Sequence, residues 1–247
     1  MLIKEIVSYT KELAPFETAG GWDNVGLLVG SENTEVTRVL TALDITPAVV
    51  EEARERGCGL IVSHHPVIFD PLRSLAPDNP AYLLAKYDVA ALCLHTNLDR
   101  AEQGVNTALG NALGLRDCVL YPEDYLLVGS PDGEYSAADY AALIKARLNA
   151  PDVRFTDGTV SRVAVSSGGG GEGVELADQY GFDAFVTGEL KHHHYLWAAS
   201  HGIAAFDAGH FSTENVVVEP LRQLLAARFP DAAFLASRAC ICPYRAL

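Results

Sequence analysis

Residues 59–66 read GLIVSHHP. The apolar run is too short for a helix of ordinary length, and Gly and Pro bracket it, so it is predicted to be a buried strand. Upstream lies TPAVVEEARERG (46–57), a helix with Thr46 as its cap and Pro47 at its first position. Before that, RVLTALDI (38–45) reads as another strand. Downstream, NPAYLLAKYDVA (79–90) is a helix, ALCLHTNLD (91–99) a strand and GVNTALGNALGL (104–115) a helix. Short apolar strands alternating with helices are the signature of an α/β fold.

The rhythm breaks over residues 117–135, DCVLYPEDYLLVGSPDGEY, which is rich in Pro, Gly and acid. A lobe boundary is expected there, giving an N-terminal α/β lobe over 1–122 and a C-terminal α/β lobe over 123–247. The second series runs helix (136–150), strand (161–167), glycine loop, helix (173–181), strand (182–189), helix (190–202) and strand (203–209). One long helix is expected over 212–230, with a kink at Pro220, before a closing strand at 232–237. The expected architecture is therefore two α/β lobes with mixed sheets flanked by helices, and no inserted middle domain.

The chain has 247 residues and a formal net charge of −14. A field of that sign repels phosphate backbones, so nucleic-acid binding through a basic patch is disfavoured, while one small anionic ligand at a locally positive metal site is not. No apolar run approaches the ~20 residues of a spanning helix, and the N-terminus reads as an amphipathic helix, not a signal peptide. Five cysteines at irregular spacing (Cys58, Cys93, Cys118, Cys240, Cys242) suit free thiols in a reducing cytoplasm. Cys240-x-Cys242 alone is a weak metal signal, because a closed thiolate site uses about four ligands.

Three expected strand ends carry metal-type side chains: His64 and His65; His95 and Asp99; Asp207, His210 and Glu214. Sites in open α/β sheets gather beyond the carboxyl ends of strands. His64 and His65 are neighbours on extended backbone, so their rings diverge. A pair of metal ions accounts for the divergence, one ring for each. Glu214 is then the candidate bridge, with Asp99 and His210 completing opposite ions. Imidazole with carboxylate suits zinc, iron or manganese. Plainer readings stand beside these: Asp99 and Glu214 as helix caps, and the histidines as hydrogen-bonded core residues.

TGELKHHHYLWA (187–198) carries His192, His193 and His194, which a helix spreads about 100° apart, so they cannot share one face. Glu189, Lys191 and one of the histidines, taken as His193, are candidates for acid/base work beside the metal edge. The run Gly168–Gly171 invites a phosphate-loop reading, but it lacks the Lys-Ser/Thr of a P-loop; a flexible connection is the plainer view. GGWDNVG (20–26) reads as tight turns, with Trp22 as an aromatic anchor and Asp23 and Asn24 as turn formers.

WDNVGLLVG, SHHPVIF, HTNLD, GGGGEG, TGELKHH and DAGHFSTE occur here in the order in which they occur in the GTP cyclohydrolase I type 2 homologue family, also called NGG-interacting-factor-three-like. The chain resembles that family over nearly its whole length. The resemblance implies a dinuclear metal site in the cleft between two lobes. His64, His65, Asp99, His210 and Glu214 would be ligands, with Glu214 bridging, and His95 would lie near the metals. It implies toroidal homohexamers built as a trimer of dimers, and a dinuclear-metal hydrolase converting GTP and water to dihydroneopterin triphosphate and formate. The glycine run lacks the serine of the family's GGSG-like loop, and His194 extends its usual histidine pair. The expected partner is a small molecule, GTP or another nucleotide, and His95, Glu189 and His193 are the expected proton-handling residues. Other metal-dependent phosphoester or amide hydrolysis, or a non-enzymatic metal-binding scaffold, are the rival readings.

Overall fold

A computed structural model describes residues 1–246. The described residues divide into two compact units, one of residues 1–101 with 217–241, the other of residues 102–216 with 242–246. The division therefore does not follow one cut after residue 122. The reason is strand pairing: the last strand, Ala233–Ala236, lies parallel to Arg38–Ala42 and so returns to the first unit.

The first unit is built on a five-stranded sheet. Its strands β1 (Gly26–Val29), β2 (Arg38–Ala42), β3 (Leu60–Ser63) and β4 (Ala90–Cys93) are ordered β1-β4-β3-β2, with Ala233–Ala236 on the far edge. Only β1 runs antiparallel to its neighbour. The Thr46 hydroxyl caps helix Pro47–Glu55, accepting from the Val49 N–H at 3.3 Å. Val49, Val50 and Ala53 of that helix join Leu40, Ile61 and Leu84 in one buried cluster. β3 and β4 are buried along their whole length, as parallel strands covered on both faces must be.

The second unit holds a six-stranded mixed sheet. Three parallel strands, Val163–Ser166, Ala184–Thr187 and Ala204–Asp207, form its centre. Val163 and Val165 join a cluster with Tyr140 and Ile144 of helix Ala137–Leu148, while Ala164 joins Phe185, Val174 and Ala198 in another. This is the period-two alternation of a sheet with packing on both faces.

Three expectations fail in instructive ways. Residues 117–135, where a lobe boundary is expected, lie within the second unit: Arg116–Tyr121 and Leu126–Ser130 pair antiparallel at the edge of its sheet, turning through Tyr125 at φ 52°. The expected strand 91–99 stops at Cys93, and Thr96–Asp99 is a helical turn. The expected long helix 212–230 is broken into His210–Glu214, a 3₁₀ turn Asn215–Val217 and Val218–Arg228. Pro220 sits in the first turn of the last piece, where its missing N–H costs nothing, so the break falls before it.

Candidate metal centre

In the first unit the sheet topology brings the polar residues to one edge. β2, β3 and β4 are parallel and in register, with Ala42 beside Ser63 and Ser63 beside Cys93. Asp44, His64, His65 and His95 therefore leave the same ends of three neighbouring strands. β1 runs the other way, so Trp22 and Asp23, which precede it, reach that edge as well.

One ring nitrogen from each of His64, His65 and His95 lies within 4.8 Å of the other two. Each Nδ1 is engaged. His64 Nδ1 donates to the Leu94 carbonyl at 2.9 Å, His65 Nδ1 pairs with Asp44 Oδ1 at 2.7 Å, and His95 Nδ1 with Asp23 Oδ1 at 2.8 Å. A hydrogen bond at one ring nitrogen fixes which tautomer the other presents, the arrangement by which metal-binding histidines are oriented. Asp99 Oδ1 stands 3.7 Å from His64 Nε2. Imidazole nitrogens with a carboxylate, each imidazole held from behind, fit a divalent ion in donor type and in support.

The Asp23 side chain has no exposed surface. Burial alone would raise its carboxyl, but hydrogen bonds from His95 and from the hydroxyl and N–H of Thr96 outweigh it and hold the pKa at about 2. Asp23 is thus an anion throughout the neutral range, fixed behind His95.

In the second unit three parallel strand ends converge in the same way. They deliver Ser167–Gly168, Gly188–Glu189 and Gly209–His210. His210 and Glu214 lie one turn apart on helix His210–Glu214, with Nε2 3.0 Å from Oε2. Glu189 Oε1 accepts from His210 Nδ1 at 2.9 Å, the same device again. Gly168 closes over this pair at φ 56°; a Cβ there would overlap the Glu214 carboxylate and come 3.1 Å from His210 Nε2. A Cβ at Gly171 would collide with the Glu189 carbonyl and the His194 ring. The glycine run is accounted for by this close packing and needs no phosphate.

The Duf34/NIF3 (NGG1p interacting factor 3) family profile matches residues 1–241. The chain belongs to this family. A Staphylococcus aureus (strain MSSA476) member bearing the name GTP cyclohydrolase 1 type 2 homolog is 30% identical, over 93% of this chain and 94% of its own. A Clostridium perfringens protein of the same name is 28% identical, over 96% and 97%. Among solved structures, the Staphylococcus aureus protein SA1388 superposes with a TM-score of 0.94 at 32% identity, covering 100% of this chain and 99% of that one. The mixed α/β fold is thus that of a NIF3 protein.

Within this NIF3 fold the sequence-derived site residues are distributed as follows. His64, His65, His95 and Asp99 assemble in the first unit, and His210, Glu214 and Glu189 in the second. Glu189 stands behind His210, the position of an orienting group. His193 is exposed and packs edge-on against the buried His194, with ring centroids 4.2 Å apart. Lys191 pairs with Glu172 at 2.8 Å on the surface. Asp207, grouped with the ligands in sequence, instead accepts from Arg154, Tyr195 and the Leu190 N–H. Asp44 and Asp23 were not legible as site residues. The only signal in their favour is position, each lying beside a strand end at the edge the histidines occupy. Cys240 also reaches this edge: the Asp44 N–H donates to its sulfur at 3.4 Å. Among the described residues no helix is long and apolar enough to cross a membrane.

Proposed function

We propose that this chain is a divalent-metal-dependent hydrolase, acting on a purine nucleotide such as GTP with ring opening and release of formate. The observation that carries the reading is the set His64, His65 and His95, three imidazoles drawn together at parallel strand ends with every Nδ1 occupied from behind. Imidazoles oriented from behind, with one nitrogen of each within 4.8 Å of the other two, make a donor group suited to a divalent ion. The names borne by the Staphylococcus and Clostridium relatives support the choice of reaction.

The ligand set of this reading is His64, His65, Asp99, His210 and Glu214, holding two ions of zinc, iron or manganese per subunit. When bound, such ions acidify water and polarise the substrate ring. The chain's own residues do the rest. Asp44, Glu189 and the Leu94 carbonyl fix the His65, His210 and His64 rings. His95, whose Nδ1 proton is held by Asp23, takes a proton at Nε2 from the attacking water and returns it to the departing ring nitrogen. Asp23 stabilises the imidazolium formed in between, because it remains anionic. In the balanced reaction one water is consumed, the imidazole carbon of guanine leaves as formate, and the remaining atoms stay in the dihydroneopterin triphosphate. The protein works as a homo-oligomer in this reading, a hexamer by family likeness.

The test is formate release from GTP by protein reconstituted separately with zinc, manganese and ferrous iron, beside a panel of generic phosphoesters and peptides. Formate release that falls at least a hundredfold in His95→Ala supports the assignment. No formate with any of the three metals overturns it, and turnover of the panel alone redirects it to another hydrolysis.

A further inference from the structure

Trp22 and Phe69 are large aromatics that remain 66% and 46% exposed. Their rings meet at 5.9 Å between centroids, tilted by 51°. Each also stands edge-on to His95, at 6.3 Å for Trp22 and 6.2 Å for Phe69. The two exposed rings therefore form one aromatic surface whose base is a member of the histidine group.

This surface is held in place. The Trp22 ring lies over Gly20, where a Cβ would come within 3.0 Å of it. The Gly20 N–H donates to Thr96 Oγ1 at 2.9 Å, and the Thr96 N–H donates to Asp23 at 3.1 Å. The Asn24 side-chain amide donates to the Ile68 carbonyl at 2.6 Å, which ties the Phe69 segment to the Trp22 turn. Exposed aromatics gathered into one fixed patch are the mark of an interaction site.

We propose that Trp22, with Phe69 beside it, is a stacking platform for a fused planar heteroaromatic ring of the nucleobase type. An indole face and a fused bicycle match in area, and stacking reads the π-face without needing charge. That suits a chain with a net charge of −14, which gives no long-range attraction to a phosphate. A ring laid parallel to Trp22 lies near His95, steeply inclined to the imidazole, whose plane makes 79° with the indole. A second copy of the chain is the weaker occupant, because interface cores are depleted in charged groups and this surface runs directly into histidines backed by a carboxylate. The proposal names the recognition element of the hydrolase reading and rests on that reading for the choice of ring.

Binding is read on chelator-treated, metal-free protein, so turnover plays no part. Guanosine and adenosine are titrated by calorimetry and by tryptophan fluorescence, with ribose and choline as controls. The other tryptophan, Trp197, is stacked on His201 at 4.0 Å and serves as the internal reference. Both nucleosides are expected to bind and to quench Trp22. Trp22→Ala should weaken binding on the order of tenfold or more, the usual cost of losing one base–aromatic stack. Trp22→Phe should keep most of the affinity, and Phe69→Ala should show an intermediate loss if Trp22→Ala does not fold. Nucleosides binding Trp22→Ala as tightly as wild type would overturn the platform. So would quenching by choline alone, which marks a cation cage, or a lower oligomer mass for Trp22→Ala, which marks a subunit contact. Nucleoside binding that depends on Trp22, in a protein that releases no formate with any metal, leaves the platform standing and removes the hydrolase reading.

Discussion

Asp44 gives the most direct handle on how the histidines are held. Its Oδ1 lies 2.7 Å from His65 Nδ1, and it is 40% exposed where His65 is 24% exposed. Removing the carboxylate in Asp44→Ala removes the hydrogen bond that sets the tautomer His65 presents. Losing such a partner typically costs 10–100-fold in metal affinity. Solvent screening of this half-exposed pair puts the expected loss at the low end, about tenfold or roughly 1.4 kcal/mol. Asp44→Asn should lose less, because the amide oxygen still accepts from Nδ1. The assay is calorimetric titration of chelator-treated protein with zinc and manganese, with thermal unfolding of the metal-free variants as the control for folding. One class of ion should weaken and any ion held by His64, whose Nδ1 is fixed by the Leu94 carbonyl, should not. Unchanged affinity in Asp44→Ala would refute the reasoning. So would equal weakening of every ion with no change in stability.

Asp23 makes metal-free stability depend on acid. Its pKa falls from an ordinary 3.8 to about 2 on folding, worth about 2 kcal/mol. That contribution is complete above about pH 4 and is lost as the pH falls towards 2, because the folded carboxyl must then be protonated. Urea unfolding of Asp23→Asn should show a deficit of that order at pH 7 that shrinks below pH 4; a deficit independent of pH would contradict it. Gly168→Ala combines a left-handed backbone with overlap of the Glu214 carboxylate. It should cost about 1–2 kcal/mol from the backbone alone and should also reduce metal content. Hydrogen exchange confined to residues 166–170, with metal content intact, would show that the loop relaxes instead.

Much of the fold could be read from the sequence where burial is continuous. β2, β3 and β4 are apolar runs covered on both faces, and Thr46-Pro47 is an unambiguous helix start. The hairpin over 116–130 was hidden because Arg116–Val119 is exposed and Pro122, Glu123 and Asp124 separate its two short apolar stretches, Cys118–Tyr121 and Leu126–Val128, so its pairing comes from the neighbouring strand. The break at Asn215–Val217 was hidden because Val216–Val218 continues an apolar helical pattern through it. The candidate ligands were legible from residue type at strand ends. Their supports were not, since His65 meets Asp44 across 21 residues and His95 meets Asp23 across 72. Asp23 and Asp44 look like turn residues until the sheet order places β1 and β2 on either side of the histidines.

If His64 and His65 serve separate metal ions, the number of ions the chain retains depends on each of them. Chelator-treated protein is reconstituted with zinc, manganese or ferrous iron, dialysed, and measured by inductively coupled plasma mass spectrometry against protein concentration. About two ions per chain are expected in the wild type and about one in His64→Ala or His65→Ala, by the count of ligands each ion keeps. A wild type that retains no ion, or single variants that retain the wild-type count, would contradict this assignment.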